Sequence, residues 1–147
     1  MNNLLFLCTG NYYRSRFCEE YFNHQARARR LPWRADSRGL APDITVFRNP
    51  GPLSPHARQA LDRLGVALEA DLRYPLSARP EDWVKAHRVI ALSRIEHQPM
   101  VEQFFPADAA RVEYWEVGDL PVASPEAALE RMAWAVREYV AALSGET

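Results

Sequence analysis

Cys8 and Arg14 are separated by five residues, Thr9-Gly10-Asn11-Tyr12-Tyr13, and Ser15 follows directly. Before them runs Leu4-Leu5-Phe6-Leu7, an apolar strand candidate; after them apolar residues recur at helical spacing. A tight loop leading from a strand into a helix N-terminus aims several backbone N–H groups into one concavity, and the helix dipole adds positive charge there. A phosphoryl group suits that concavity. Gly10 and Asn11 supply the backbone freedom to wrap it. Cys8 is expected at the floor, where the N–H groups, the dipole and Arg14 all favour its thiolate. Arg14 offers a planar fork for two equatorial phosphoryl oxygens while phosphorus passes from a leaving oxygen to sulfur. Ser15 is placed to donate its hydroxyl to the Cys8 sulfur, making it a better leaving group in a second step.

The elements that must position these residues follow from the rest of the chain. Phe17, Cys18, Tyr21, Phe22 and Ala26 make an apolar stripe, predicting a helix from Ser15 to about Ala28. Cys18 is read as core filling, and Arg27, Arg29 and Arg30 as cations at the helix end. Trp33 to Leu40 reads as a second strand. Ser54 and Pro55 open a helix to about Gly65 whose apolar face is Ala57, Ala60, Leu61 and Leu64. Pro80 to Trp83 starts a short helix. Arg88 to Leu92 reads as a strand, and Ser93 with Glu96 has the capping-box spacing of another helix start. Arg111 to Val117 reads as the last strand, and Ser124 with Pro125 caps a final helix carrying Leu129, Met132, Ala133, Val136, Val140 and Leu143. Alternating strands and helices predict an α/β fold, a doubly wound sheet of about four parallel strands with helices on both faces. Parallel strands end on one rim, so the loop after the last strand, Gly118-Asp119-Leu120-Pro121, is expected near Cys8.

At 147 residues the chain is expected to form one domain, spanning 1–147. A formal net charge of -1 speaks against nucleic acid or a membrane surface as a partner. Two cysteines are too few for a disulfide framework and suit a reducing compartment. Met1-Asn2-Asn3 carries no positive charge, and the apolar run after it is too short for a signal peptide or membrane span, so a cytoplasmic, unprocessed chain is expected. His24, His56, His87 and His97 share no ligand spacing and are read as surface or capping residues; neither a metal nor a cofactor is expected.

The strand, the C-x5-R-S signature and the internal Thr9-Gly10-Asn11 resemble the low-molecular-weight protein tyrosine phosphatases. Asp36-Ser37-Arg38-Gly39-Leu40 resembles the family's Ser-Ala-Gly-Leu segment, and the resemblance implies that Ser37 supports the phosphate loop through Asn11. It also implies that Asp119 is the general acid that protonates the leaving oxygen and then takes a proton from water, with Cys8 as nucleophile and the loop from Thr9 to Ser15 as phosphate binder. Phe47 falls where the family often places an aromatic beside the cleft; lining and simple packing both fit it. The chain departs from the pattern at three places: Tyr13 stands for a second loop cysteine, Tyr12 for an aliphatic residue, and Arg16 for a proline, which is expected to add a cation near the mouth. The expected activity is hydrolysis of phosphomonoesters through a phosphocysteine intermediate, with a phosphorylated protein or aryl phosphate as substrate. A silent anion- or phosphopeptide-binding module and an arsenate reductase are the alternatives.

Overall fold

The computed structural model describes residues 1–117 and 124–145. Strand β1 (Asn2–Cys8) runs into the signature loop and helix α1 (Arg14–Ala28), followed by β2 (Trp33–Gly39), a 3₁₀ turn (Ile44–Phe47) and α2 (Pro55–Arg63). Then come α3 (Pro80–Lys85), β3 (Arg88–Ala91), α4 (Arg94–Phe104), a second 3₁₀ turn (Pro106–Arg111), β4 (Val112–Tyr114) and α5 (Pro125–Gly145). The four strands form one parallel sheet in the order β2-β1-β3-β4. Helices cover both faces, as the alternating pattern requires.

From Leu4 to Cys8 β1 carries no polar side chain apart from the thiol, because that stretch is buried on both faces. Leu4, Phe6 and Cys8 join Phe17, Phe22, Met132 and Val136 of α1 and α5. Leu5 and Leu7 point the other way, into a core with Leu40, Trp83, Val89 and Val101. Each fully buried large side chain contributes about 2 kcal/mol relative to exposure. Cys18 is fully buried in the α1 core, and burial pushes its thiol well up, with the Cys8 sulfur adding to the rise.

Some boundaries differ from the sequence reading. The last ladder holds only Val112 to Tyr114, because a 3₁₀ turn runs up to Arg111. Strand-like bonds nevertheless continue, from Trp115 N–H to Ala91 O and from Val117 N–H to Leu92 O. α2 stops at Arg63 and Gly65 turns the chain at φ 77°, so Leu64, expected on the apolar face, is left 37% exposed.

In this sheet β2 lies on one side of β1, and β3 and β4 on the other. The chain therefore leaves β1 and β3 in opposite directions, which opens a crevice at their carboxyl ends. Cys8 ends β1 there, and the first turn of α4, entered directly from β3, faces it.

Candidate active site

The loop from Cys8 to Arg14 is held from three sides. Leu40 N–H donates to Cys8 O at 2.8 Å, Ala41 N–H to Thr9 O at 3.1 Å, and Ser54 N–H to Tyr12 O at 3.0 Å. The left-handed residue is Asn11, at φ 54°. Gly10 does not take that conformation; its missing side chain matters because a Cβ there would lie 3.3 Å from the Phe47 ring. Gly39 is tighter still, since its Cβ would meet Thr9 O at 2.8 Å and Asn11 N at 3.2 Å. Backbone cannot yield as a side-chain tip does. Gly39→Ala is therefore expected to destabilise the fold by about 1–3 kcal/mol, a drop in Tm of about 3–10 °C, and to weaken phosphate binding by displacing the loop; thermal melts and phosphate titration read both.

Asn11 is the hub under the loop. Its Nδ2 donates to Ser15 Oγ at 2.8 Å and to Ser37 Oγ at 2.9 Å, and its Oδ1 accepts from Leu76 N–H and from Arg73, both at 3.0 Å. Ser37 Oγ donates to Glu19 Oε1 at 2.6 Å, and Arg73 also donates to Glu19 at 3.2 Å and to Ser37 O at 2.7 Å. Burial pushes the Glu19 carboxyl up, opposed by Arg73 and Ser37. At the top of this network Ser15 Oγ lies 2.9 Å from Cys8 Sγ. Against a thiolate, which has no proton to give, the Ser15 hydroxyl is the donor in this contact.

Arg14 is the first residue of α1 and is buried. Its Nη2 donates to Glu96 Oε1 at 2.8 Å, and Thr9 Oγ1 donates to the same oxygen at 2.7 Å. Ser93 Oγ caps α4 by accepting from Glu96 N–H at 3.3 Å. Only half of the capping box forms, since the Glu96 carboxylate turns into the crevice instead. Ser93 N–H donates to His97 Nδ1 at 3.1 Å, which leaves the ring proton on Nε2, facing Thr9 Oγ1 at 3.2 Å. His97 thus caps α4, but it is fully buried and not a surface residue.

Cys8, Thr9, Gly10, Tyr12, Tyr13, Arg14, Phe47, Asn49 and Glu96 enclose an open cleft of about 450 Å³. Tyr12 is tied back by its hydroxyl donating to Pro50 O at 2.6 Å, and Tyr13 sets its ring edge to face with His56, centroids 6.5 Å apart. Phe47 lines the cleft and stays 43% exposed. Arg16 does not reach the mouth: it is buried, and its Nη1 donates to Pro52 O and Arg73 O, both at 2.9 Å, stitching two loops together. Asp119, with Gly118, Leu120 and Pro121, lies outside the described residues. Among the described residues no group of three or more His, Cys, Asp or Glu could hold a metal, and no helix is long and apolar enough to cross a membrane.

Arg73 and Glu19 join the site without having been singled out in the sequence, and Glu96 and His97, read there only as capping or surface residues, join it too. The signal for Glu96 was positional: it opens the helix after β3, at the crevice beside β1.

A parallel α/β sheet carrying a thiol and an arginine fork in one loop at its switch point defines a cysteine-dependent phosphatase. The chain belongs to the low molecular weight phosphotyrosine protein phosphatase family, whose model matches residues 3–121. No curated protein matches the chain. Among solved structures it resembles YfkJ from Bacillus subtilis, at 18% identity and TM-score 0.82 over 100% of this chain and 97% of that one. It also resembles a low molecular weight protein tyrosine phosphatase from T. tengcongensis, at 24% identity and TM-score 0.76 over 100% of both chains. The YwlE arginine phosphatase from Geobacillus stearothermophilus matches at 19% identity and TM-score 0.76, over 99% of this chain and 95% of that one. These likenesses establish the shared fold; the family match establishes a phosphatase that acts on a phosphorylated substrate.

Proposed function

We propose that the chain hydrolyses phosphotyrosine in proteins, with Cys8 as nucleophile, Arg14 and the loop from Thr9 to Ser15 as phosphoryl binders, and Asp119 as acid and base. The thiolate attacks phosphorus, the bond to the aryl oxygen breaks, and that oxygen takes the proton of Asp119. Water then attacks the thiophosphate and gives its proton to Asp119, and the S–P bond breaks to return the thiolate. Ser15 stabilises the departing sulfur by donating to it. Two free cysteines and a thiol nucleophile suit a reducing compartment, the cytoplasm.

The observation that carries the reading is the 2.9 Å contact between Cys8 Sγ and Ser15 Oγ within the cleft that Arg14 also lines. The aromatic wall carries the substrate class. Phe47 and Tyr12 flank the thiol, and a recessed sulfur with an aromatic rim is reached by an aryl phosphate better than by a short alkyl one. Initial rates on phosphotyrosine, phosphoserine and phosphoarginine versions of one peptide test it. Phosphotyrosine is expected to be turned over fastest. Phe47→Ala is expected to raise KM for it about tenfold with kcat nearly unchanged, as loss of uniform binding does. Faster turnover of the phosphoserine or phosphoarginine peptide rejects the aryl assignment.

A further inference from the structure

An anion-binding cradle that contains its own carboxylate has a reduced charge to offer. Glu96 lines the cleft with Cys8 and bonds to Arg14 and Thr9 at 2.8 and 2.7 Å. We infer that Glu96 determines the charge state of the group the site accepts: it favours a singly charged phosphoryl group and makes the site hold doubly charged inorganic phosphate weakly. The inference rests on the proposed reading of the cradle as the phosphoryl site.

The carboxylate is held in a built arrangement. His97, itself anchored by Ser93 N–H, backs Thr9, and Thr9 and Arg14 grip the same Glu96 oxygen. Arg14 is 5% exposed and Glu96 31%, so the pair is shielded more than an open surface pair. Burial opposes ionisation of Glu96, but hydrogen bonds from His97, Arg14 and Thr9 and the Arg14 charge outweigh it and hold the carboxyl well below the usual carboxylate range. Among the described residues the titratable and charged groups facing the cleft are Arg14 from α1, Cys8, Tyr12 and Tyr13 from the loop, and Glu96 with the adjoining His97 from α4.

Charge arithmetic gives the consequence. Glu96 offsets part of the Arg14 charge, and the loop N–H groups and the α1 terminus add to the attraction that is left. Repulsion from Glu96 is twice as large for a dianion as for a monoanion at the same distance. A phosphomonoester loses its second proton at about pH 6, so the resting cradle works best on the acid side of neutrality and releases ionised product readily.

Calorimetric titration with inorganic phosphate at about pH 5.5 and about pH 8, below and above its second ionisation, decides the matter. Full-length Cys8→Ser and Cys8→Ser/Glu96→Gln proteins are compared, which removes the thiolate charge from both. Gln keeps the oxygen that accepts from Arg14 and Thr9 and deletes only the charge. The single variant is expected to bind phosphate more tightly at the lower pH. The added Glu96→Gln change is expected to tighten binding about tenfold at the higher pH and about threefold or less at the lower. Tighter binding by the single variant at the higher pH, or no gain there from Glu96→Gln, overturns the inference. Failure of both proteins to bind phosphate at either pH overturns the cradle reading beneath it.

Discussion

Cys8→Ser is expected to abolish hydrolysis of para-nitrophenyl phosphate, with a loss on the order of 10⁴-fold or more in kcat. A serine hydroxyl at that position must lose its proton to attack phosphorus; no side chain among the described residues is placed to take it, and the proposed mechanism needs Asp119 protonated in that step. Ser15 is the nearest partner, 2.9 Å away, and a neutral hydroxyl is itself too weak a base to take that proton. The Glu96 carboxylate, gripped at Oε1 by Arg14 and Thr9, is held well below the ordinary carboxylate range by bonds that outweigh its burial, which makes it a feeble base. Cysteine eases the problem because a thiol gives up its proton far more readily than an alcohol, and the thiolate is the stronger nucleophile. The cradle is made of backbone N–H groups, Arg14 and the Asn11 network, of which the substitution meets only Ser15, so the serine protein is expected to keep its fold and, with no thiolate charge to repel the anion, to bind inorganic phosphate at least as tightly. Initial rates with the natural and Ser proteins, beside thermal melts and phosphate titration, read all three. A Ser variant retaining more than about one hundredth of the rate would remove Cys8 from the nucleophile's role.

How far the sequence alone reached depends on whether a residue's partners are local. The strand, loop and helix from Leu4 to Ala28 were legible because an apolar run, a turn and a helical stripe follow one another without a gap. Cys18 fell into the core because its helical phase puts it beside Phe17 and Phe22. Ser37 meets Asn11 at 2.9 Å, which only the family resemblance suggested. Arg16 was misplaced: its position after Ser15 suggested the mouth, but the loops bearing Pro52 and Arg73 fold over it and use its donors. Glu96 was hidden by a sufficient local explanation, since Ser93 and Glu96 have capping-box spacing, and Ser93 does cap the helix. The carboxylate's partner is 82 residues away, brought close by the reversal of strand order beside β1. Arg73 escaped because an irregular segment has no period from which its side-chain directions can be read, and Glu19, on α1, because its partners Ser37 and Arg73 are 18 and 54 residues away.

Arg14→Lys is expected to lower kcat/KM for aryl phosphates by about 10²–10³-fold, equivalent to about 3–4 kcal/mol of transition-state stabilisation. Lysine preserves the charge and removes the fork. In the transition state the three equatorial phosphoryl oxygens carry the charge in one plane, and a planar guanidinium meets two of them at once where an ammonium meets one. Glu96 sharpens the difference. It grips the guanidinium at Nη2, 2.8 Å away, and so sets the plane of the group that faces the phosphoryl site. A lysine ammonium has no plane to set, and its compact charge is drawn to Glu96 itself, away from the substrate. The loss should therefore fall on kcat more than on KM, because the second guanidinium contact strengthens as charge spreads over the equatorial oxygens. Adding Glu96→Gln to the Lys variant releases the ammonium and should recover part of the activity, whereas the same change beside a native Arg14 keeps the oxygen that sets the guanidinium's plane and should alter the rate much less. Rates for the four proteins in that cycle give the coupling between the two positions directly. A Lys variant within about tenfold of the natural protein, with no coupling to Glu96, would reduce Arg14 to a point charge and remove alignment from the account of catalysis.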